Sequence, residues 1–453
     1  EQESGAGVPR LRFTESEPLS RLSSLIVHPS CLITKVRDDS CFHLSQTVSV
    51  SDFSQLPIQF SDVHAAARRI AGGIKRTPCR HAQLAGLDLY LKYDNRQETH
   101  AFKERGALNK LLTLTDGEKE RGVVAASAGN HAQAVARHAG RLGIAATIVM
   151  PVGTPFNKVT NTEKWGAKVV LEGEGFDKAK EYALELSDKD GLTWISPFDD
   201  PHIMAGQGTM ALEMLEDWPQ IDTLVVPIGG GGLISGCAVA AKAINPKIEV
   251  IGVQSALFPA MKCALDGHEI PAFRGRSLAE GIAVKEPGKL TRQVVEALVS
   301  RIELVEEEEI ETAIITLLEE EKTLAEGAGA SALAFVLAHP EQFKGRHVGI
   351  PICGGNLDLR LLATCLMRGL SRTSRIVALT ILLDDIPGGL ARSAQAIADA
   401  GGNVIEVQHQ RQFGNVTGAQ VELHITIETQ DQAHVERILE MLKERGLKAI
   451  RVS

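Results

Sequence analysis

The chain has 453 residues, enough for about two to four domains with their own cores. Hydrophobic residues make up 44% and charged residues 23%, a globular rather than a disordered composition. The net charge of −9, the 4% aromatic content and the lack of any apolar run of about 18 residues argue against nucleic-acid binding and against a membrane span.

Residues 1–57 carry Ser clusters, Pro9, Pro18 and Pro29 and no sustained hydrophobic period, so they read as a poorly ordered extension or a non-native leader. Acidic residues from Glu1 to Asp39 do not suit a targeting segment. From Ser61 the pattern becomes regular, and Ser61 and Asp62 are placed to cap a helix through Ile70. Apolar strands are expected at 87–91, 123–126, 145–150, 168–171, 224–227, 250–253 and 347–350. Helical patterns lie between them at 130–142, 177–186, 208–215, 234–244 and 308–322. This α/β alternation over residues 58–370 implies a buried, mostly parallel sheet with helices on both faces. Such sheets bind ligands at the carboxyl ends of their strands. After Leu370 the stretch Ser371–Arg375 reads as a linker. Residues 376–453 then run β-α-β-β-α-β, with strands at 376–383, 404–408, 421–427 and 448–452 and helices at 390–400 and 434–445. That order is ferredoxin-like. The seven scattered cysteines form no C-x-x-C pair, which implies buried thiols in a reducing, cytoplasmic compartment and neither disulfides nor structural zinc.

Four motifs carry chemistry. In Thr99-His100-Ala101-Phe102-Lys103, the lysine read alone suits solvent as well as Schiff-base chemistry, which needs a desolvated amine. Ser127-Ala128-Gly129-Asn130-His131 lies where a strand gives way to a helix, a place for an anion such as a carboxylate or simply a well-capped helix. Gly229-Gly230-Gly231-Gly232 follows another strand and lets backbone N–H groups close around a phosphate. No Gly-Lys-Ser/Thr follows it and Gly-x-Gly-x-x-Gly fails, so neither an ATPase nor a dinucleotide loop is supported. Cys353-Gly354-Gly355-Asn356 follows a last strand, its thiol either buried or bonded to a ligand nitrogen.

As a set, in this order, the motifs resemble the threonine/serine dehydratases, fold type II pyridoxal-phosphate (PLP) enzymes. The likeness runs from about Phe60 to Leu370. It implies a tryptophan-synthase-β-like core of two subdomains, with Leu383–Leu390 resembling the loop of an ACT-type regulatory domain. By resemblance Lys103 is the Schiff-base lysine and Phe102 its neighbour, and Asn130 contacts the cofactor's 3′ oxygen. Ser127, Ala128, Gly129, Asn130 and His131 grip the substrate carboxylate. Gly229, Gly230, Gly231 and Gly232 hold the phosphate, Cys353 sits beside the pyridine nitrogen, and Glu326 lies near the ring. The implied reaction is β-elimination from L-threonine, giving 2-oxobutanoate and ammonia in a homo-oligomer (dimer or tetramer). An amino acid such as isoleucine or valine is the expected effector.

This chain departs from the family's Thr-Gly-Ser-Phe-Lys at His100 and Ala101, which opens the question of substrate preference. Ala128 replaces the serine acid of related racemases, so racemisation is disfavoured. Gln254 and Ala260 stand where relatives hold cation-binding carboxylates, so no metal is expected there. The alternatives are a serine or 3-hydroxyaspartate dehydratase and, against the presence of Lys103, an amino-acid sensor without catalysis.

Overall fold

The computed structural model describes residues 54–271, 275–410 and 419–452. The extension expected over 1–57 lies outside these residues except for 54–57, where Leu56 packs on the core. The first helix among the described residues is Phe60–Ile70, capped by Gln59 rather than Ser61. Asp62 closes the cap from inside the first turn by accepting the Gln59 N–H at 2.7 Å.

Ten strands follow: β1 (Cys79–Leu84), β2 (Leu87–Lys92), β3 (Val123–Ala126), β4 (Ala146–Met150), β5 (Lys168–Leu171), β6 (Thr193–Trp194), β7 (Thr223–Pro227), β8 (Glu249–Ser255), β9 (Arg301–Val305) and β10 (His347–Pro351). They form two sheets, ordered β1-β2-β10-β7-β8-β9 and β5-β4-β3-β6. Every pairing is parallel except the β1–β2 hairpin. β3 and β7 are buried along their whole length, as strands covered on both faces must be.

Glycine contacts set the spacing of three helices at the centre. Lys103–Leu112 and Gly232–Ile244 both pack on Pro201–Asp217. A Cβ on Gly206 would fall 2.6 Å from the Gly106 Cα, and one on Gly208 would fall 2.6 Å from the Gly236 carbonyl. The helix that begins with Lys103 and the helix that follows the four glycines are thereby held against a common neighbour.

The remaining strands, β11 (Ile376–Asp384), β12 (Asn403–Gln410), β13 (Gln420–Glu428) and β14 (Lys448–Arg451), form an antiparallel sheet ordered β12-β13-β11-β14. Val377, Leu379, Ile381 and Leu383 alternate inward with Val421, Leu423, Ile425 and Ile427, and form one core with residues of helices Gly389–Asp399 and Gln432–Glu444. This is the β-α-β-β-α-β order expected. The linker expected at 371–375 is helical only in its first two residues, and 373–375 form a turn. Ser371 and Arg372 finish the helix Leu359–Arg372, which Arg368 and Arg372 tie to the buried carboxylate of Glu311. No helix among the described residues is long and apolar enough to cross a membrane.

Candidate active site

The motifs converge at the carboxyl ends of β3, β7 and β10. The chain after β10 pairs with the residues before Lys103: Phe102 N–H donates to the Cys353 carbonyl (2.9 Å), Gly355 N–H to the His100 carbonyl (2.9 Å), and Ala101 bridges Gly354. His100 holds φ at +57°, the left-handed region in which a glycine would be unstrained. Lys103 opens its helix, and its Nζ donates to the Pro197 carbonyl at 2.7 Å. Burial lowers this amine from its ordinary value to about 8, against the pull of Glu326.

Glu326 links the other parts. Burial pushes its carboxyl up to about 7, although it accepts a hydrogen bond from Asn130 Nδ2 at 2.6 Å. Asn356 Nδ2 donates to Asn130 Oδ1 (2.7 Å) and to the Thr99 carbonyl (2.7 Å), so the amide of Asn130 is gripped at both ends. Cys353 is buried, its thiol 3.8 Å from the Ala328 carbonyl, and burial raises its pKa so that it stays a neutral S–H. His131 is locked onto the Ile195 carbonyl at 3.0 Å, and burial, reinforced by Lys103, depresses it to about 3. It is neutral at physiological pH.

Four helices begin here without a side-chain cap: those preceded by Phe102, Gly129, Gly231 and Glu326. Their first N–H groups and positive dipole ends suit anions. A Cβ on Gly129 would meet open space, and Ser127 Oγ accepts the Gly129 N–H at 3.1 Å. Ala128 packs on the core beneath β3. Gly231 caps its helix at φ +96°, and a Cβ there would meet Thr291 and Met261 at 2.8 Å. Gly229 abuts Gly281 and Ile282, and Gly281 in turn faces Glu326 and Ala328, which connects the glycine loop to the rest of the site. Gly230 and Gly232 lie against Phe198, one residue after the carbonyl that holds Lys103.

A family model described as "Pyridoxal-phosphate dependent enzyme" matches residues 70–354. The chain belongs to this family. Among its relatives is an L-threonine ammonia-lyase of Thermotoga maritima, 43% identical over 394 residues that cover 86% of this chain and 98% of that protein. The catabolic L-threonine dehydratase of Escherichia coli K12 is 44% identical over 311 residues, 67% of this chain and 94% of that one. Of the solved structures, the processed threonine deaminase isoform 2 of Solanum lycopersicum matches with a TM-score of 0.66 at 34% identity, covering 71% of this chain and 94% of that one. Maize serine racemase matches with a TM-score of 0.65 at 33% identity, covering 70% and 99%.

The cofactor of this PLP-dependent chain fits the donor set. An uncapped, glycine-lined helix start suits its phosphate, and a depressed, buried amine suits its carbonyl. Sequence reasoning passed over the Pro197 carbonyl, Phe198 and the bridging role of Asn356. The first two belong to an unremarkable loop before Pro201–Asp217. Asn356 stands in the motif Cys353-Gly354-Gly355-Asn356, but its partners come from elsewhere in the chain. Gln254, which has no charged ligand to supply, turns its amide to the backbone: its Oε1 accepts the Lys262 N–H at 2.9 Å.

Proposed function

We propose that this chain deaminates L-threonine by β-elimination, releasing 2-oxobutanoate and ammonia, with Lys103 as the residue that exchanges with substrate and moves the Cα proton. The observation that carries the reading is a lysine amine held on the Pro197 carbonyl at 2.7 Å among uncapped helix starts, where burial lowers it to about 8. An amine so placed is unprotonated often enough near neutral pH to act as nucleophile and base. The relatives named for threonine support this substrate.

When bound, PLP supplies an electrophilic carbonyl and a conjugated ring that stabilises negative charge at the substrate's Cα. Gly229, Gly230, Gly231 and Gly232 would hold its phosphate, Asn130 its 3′ oxygen, and Cys353 its ring nitrogen, with Phe102 and Glu326 alongside. The neutral Cys353 thiol does not enforce a proton on that nitrogen as a carboxylate would, which favours expulsion of the β-hydroxyl over reprotonation of Cα. Ser127, Gly129 and the start of Asn130–Leu142 orient the substrate carboxylate, while His131 stays neutral and structural. Ala128 has no exchangeable proton, so it cannot deliver one to Cα as a racemase requires. After Cα–H and Cβ–O bonds break, the enamine released from the protein hydrolyses to the 2-oxo acid and ammonia.

The C-terminal ferredoxin-like domain acts, in this reading, as an ACT-type regulatory module in a homo-oligomer of cytoplasmic protein. In this reading an aliphatic amino acid such as isoleucine or valine binds at its strand–helix junctions, where the glycine turns Gly388 (φ +90°) and Gly401 (φ +88°) lie. Velocity curves unmoved by every aliphatic amino acid refute that part. The catalytic part is tested by measuring 2-oxo acid from L-threonine, L-serine and 3-hydroxyaspartate together with D-serine formation. Threonine should lead, and a dominant racemisation product would overturn the assignment.

A further inference from the structure

We propose that Asp199 is a positioning residue that shapes the phosphate loop through the helix Lys289–Leu298, an inference that rests on Gly229–Gly232 as the phosphate site. Asp199 belongs to the loop after β6, yet it caps a helix about ninety positions further on. Its Oδ2 accepts the Lys289 N–H at 3.0 Å, and its Oδ1 accepts those of Leu290 at 2.8 Å and Thr291 at 3.2 Å. The N-cap residue itself, Gly288, has no side chain to do this.

The capped turn reaches the glycine loop directly. Thr291 Oγ1 donates to the Gly230 carbonyl at 2.6 Å, and Gly288 N–H donates to the same oxygen at 3.3 Å. Thr291 is fully buried and its Cβ bounds the space beside Gly231. A peptide unit is planar and trans, so its C=O and its N–H point to opposite sides. Pinning the Gly230 carbonyl toward Thr291 therefore turns the Gly231 N–H away from Lys289–Leu298. That amide stands at the N-cap of Gly232–Ile244, where an anion gains both hydrogen bonds and the helix dipole.

The same short segment governs the reacting amine. Pro197 accepts from Lys103, Phe198 lies against Gly230 and Gly232, Asp199 caps Lys289–Leu298, and Asp200 caps Pro201–Asp217 while pairing with Lys110 at 2.7 Å. Residues 197–200 thus register the lysine and the phosphate loop against each other. Glycine flexibility explains the need: four consecutive glycines have no conformation of their own.

The experiment compares Asp199→Ala, Asp199→Asn and Thr291→Val with wild type for binding of PLP and of pyridoxal, which lacks the phosphate. Folding is checked in parallel by far-ultraviolet circular dichroism and urea melts. Asp199→Ala and Thr291→Val should weaken PLP by about tenfold, the scale of a lost cap or hydrogen bond, with pyridoxal changed by less than about twofold. Asp199→Asn, also a good capping residue, should recover most of the PLP affinity. Wild-type PLP affinity in Asp199→Ala, or equal losses for PLP and pyridoxal, would overturn the proposal. If Asp199→Ala fails to fold, Thr291→Val decides by the same criterion. A wild-type protein that binds pyridoxal as tightly as PLP would refute the phosphate-loop reading, and the proposal with it.

Discussion

Replacing Arg105 by Met removes the central cation of a buried charge cluster two residues beyond Lys103. Arg105 is fully buried and donates to both oxygens of Asp94 (2.6 and 2.9 Å), both oxygens of Glu213 (2.7 and 2.9 Å) and Thr209 Oγ1 (3.0 Å). Lys92 still reaches Glu213 at 2.6 Å in the variant, and Thr77 Oγ1 still donates to Asp94 at 2.5 Å. Asp94, wholly buried, is left without its cation. Breaking such a pair from one side costs about 3–5 kcal/mol, and the surviving Lys92 contact places the expected loss near the lower end. Burial opposes ionisation of Asp94, but Arg105 outweighs it and holds the carboxyl below its ordinary value. In wild type this pair therefore contributes stability above the ordinary carboxylate pKa, lost only as pH falls through the lower folded value. In Arg105→Met the same carboxyl is raised, the folded state binds the extra proton, and stability should rise as pH is lowered from 7 to 5. Urea denaturation at both pH values reads this directly. The double variant Asp94→Asn with Arg105→Met should recover part of the loss. A single variant within about 1 kcal/mol of wild type, or one whose stability falls on acidification, would show that Asp94 does not depend on Arg105 for its charge.

Lys103→Met should stabilise the cofactor-free protein at pH 7. Burial moves the amine from 10.5 to about 8, worth at most about 3 kcal/mol and less where the Pro197 carbonyl solvates the charge. Because the unfolded chain holds that proton longer, wild-type stability rises between those two values, and the advantage of Lys103→Met should vanish above them in urea melts. Glu326→Ala releases the Nδ2 end of the Asn130 amide, so the absorbance of bound PLP should shift and its affinity fall about tenfold, while Glu326→Gln, which keeps the acceptor oxygen, should stay near wild type. His100→Gly relieves a left-handed backbone and should add about 0.5–1 kcal/mol to stability by thermal melt, after the loss to unfolded-chain entropy.

The parallel strands were legible because β3, β4, β7 and β8 are short apolar runs between helical periods. β1 and β9 were not, since as edge strands they carry Arg80, His81, Gln83, Arg301 and Glu303 and resemble loops. Helix Gly327–Ala338 escaped for the opposite reason: nearly all of its residues are buried, so no polar face marks its period. Of the candidate site, the sequence offers the residues whose chemistry depends on type, Lys103, Asn130 and the four glycines, and the fold brings them to the same strand ends. The site was illegible where a backbone atom acts, as at the Pro197 carbonyl, or where a contact spans 226 positions, as between Asn356 and Asn130. No local pattern encodes a carbonyl's direction.

Whether Lys103 carries threonine elimination is tested in one cuvette by comparing the PLP-loaded protein with Lys103→Ala. On addition of L-threonine, the visible absorbance of the wild-type protein should change while 2-oxobutanoate and ammonia accumulate in equal amounts, and Lys103→Ala should form neither product. Turnover by Lys103→Ala at the wild-type rate, or a wild-type spectrum that responds without product from L-threonine, would contradict the account.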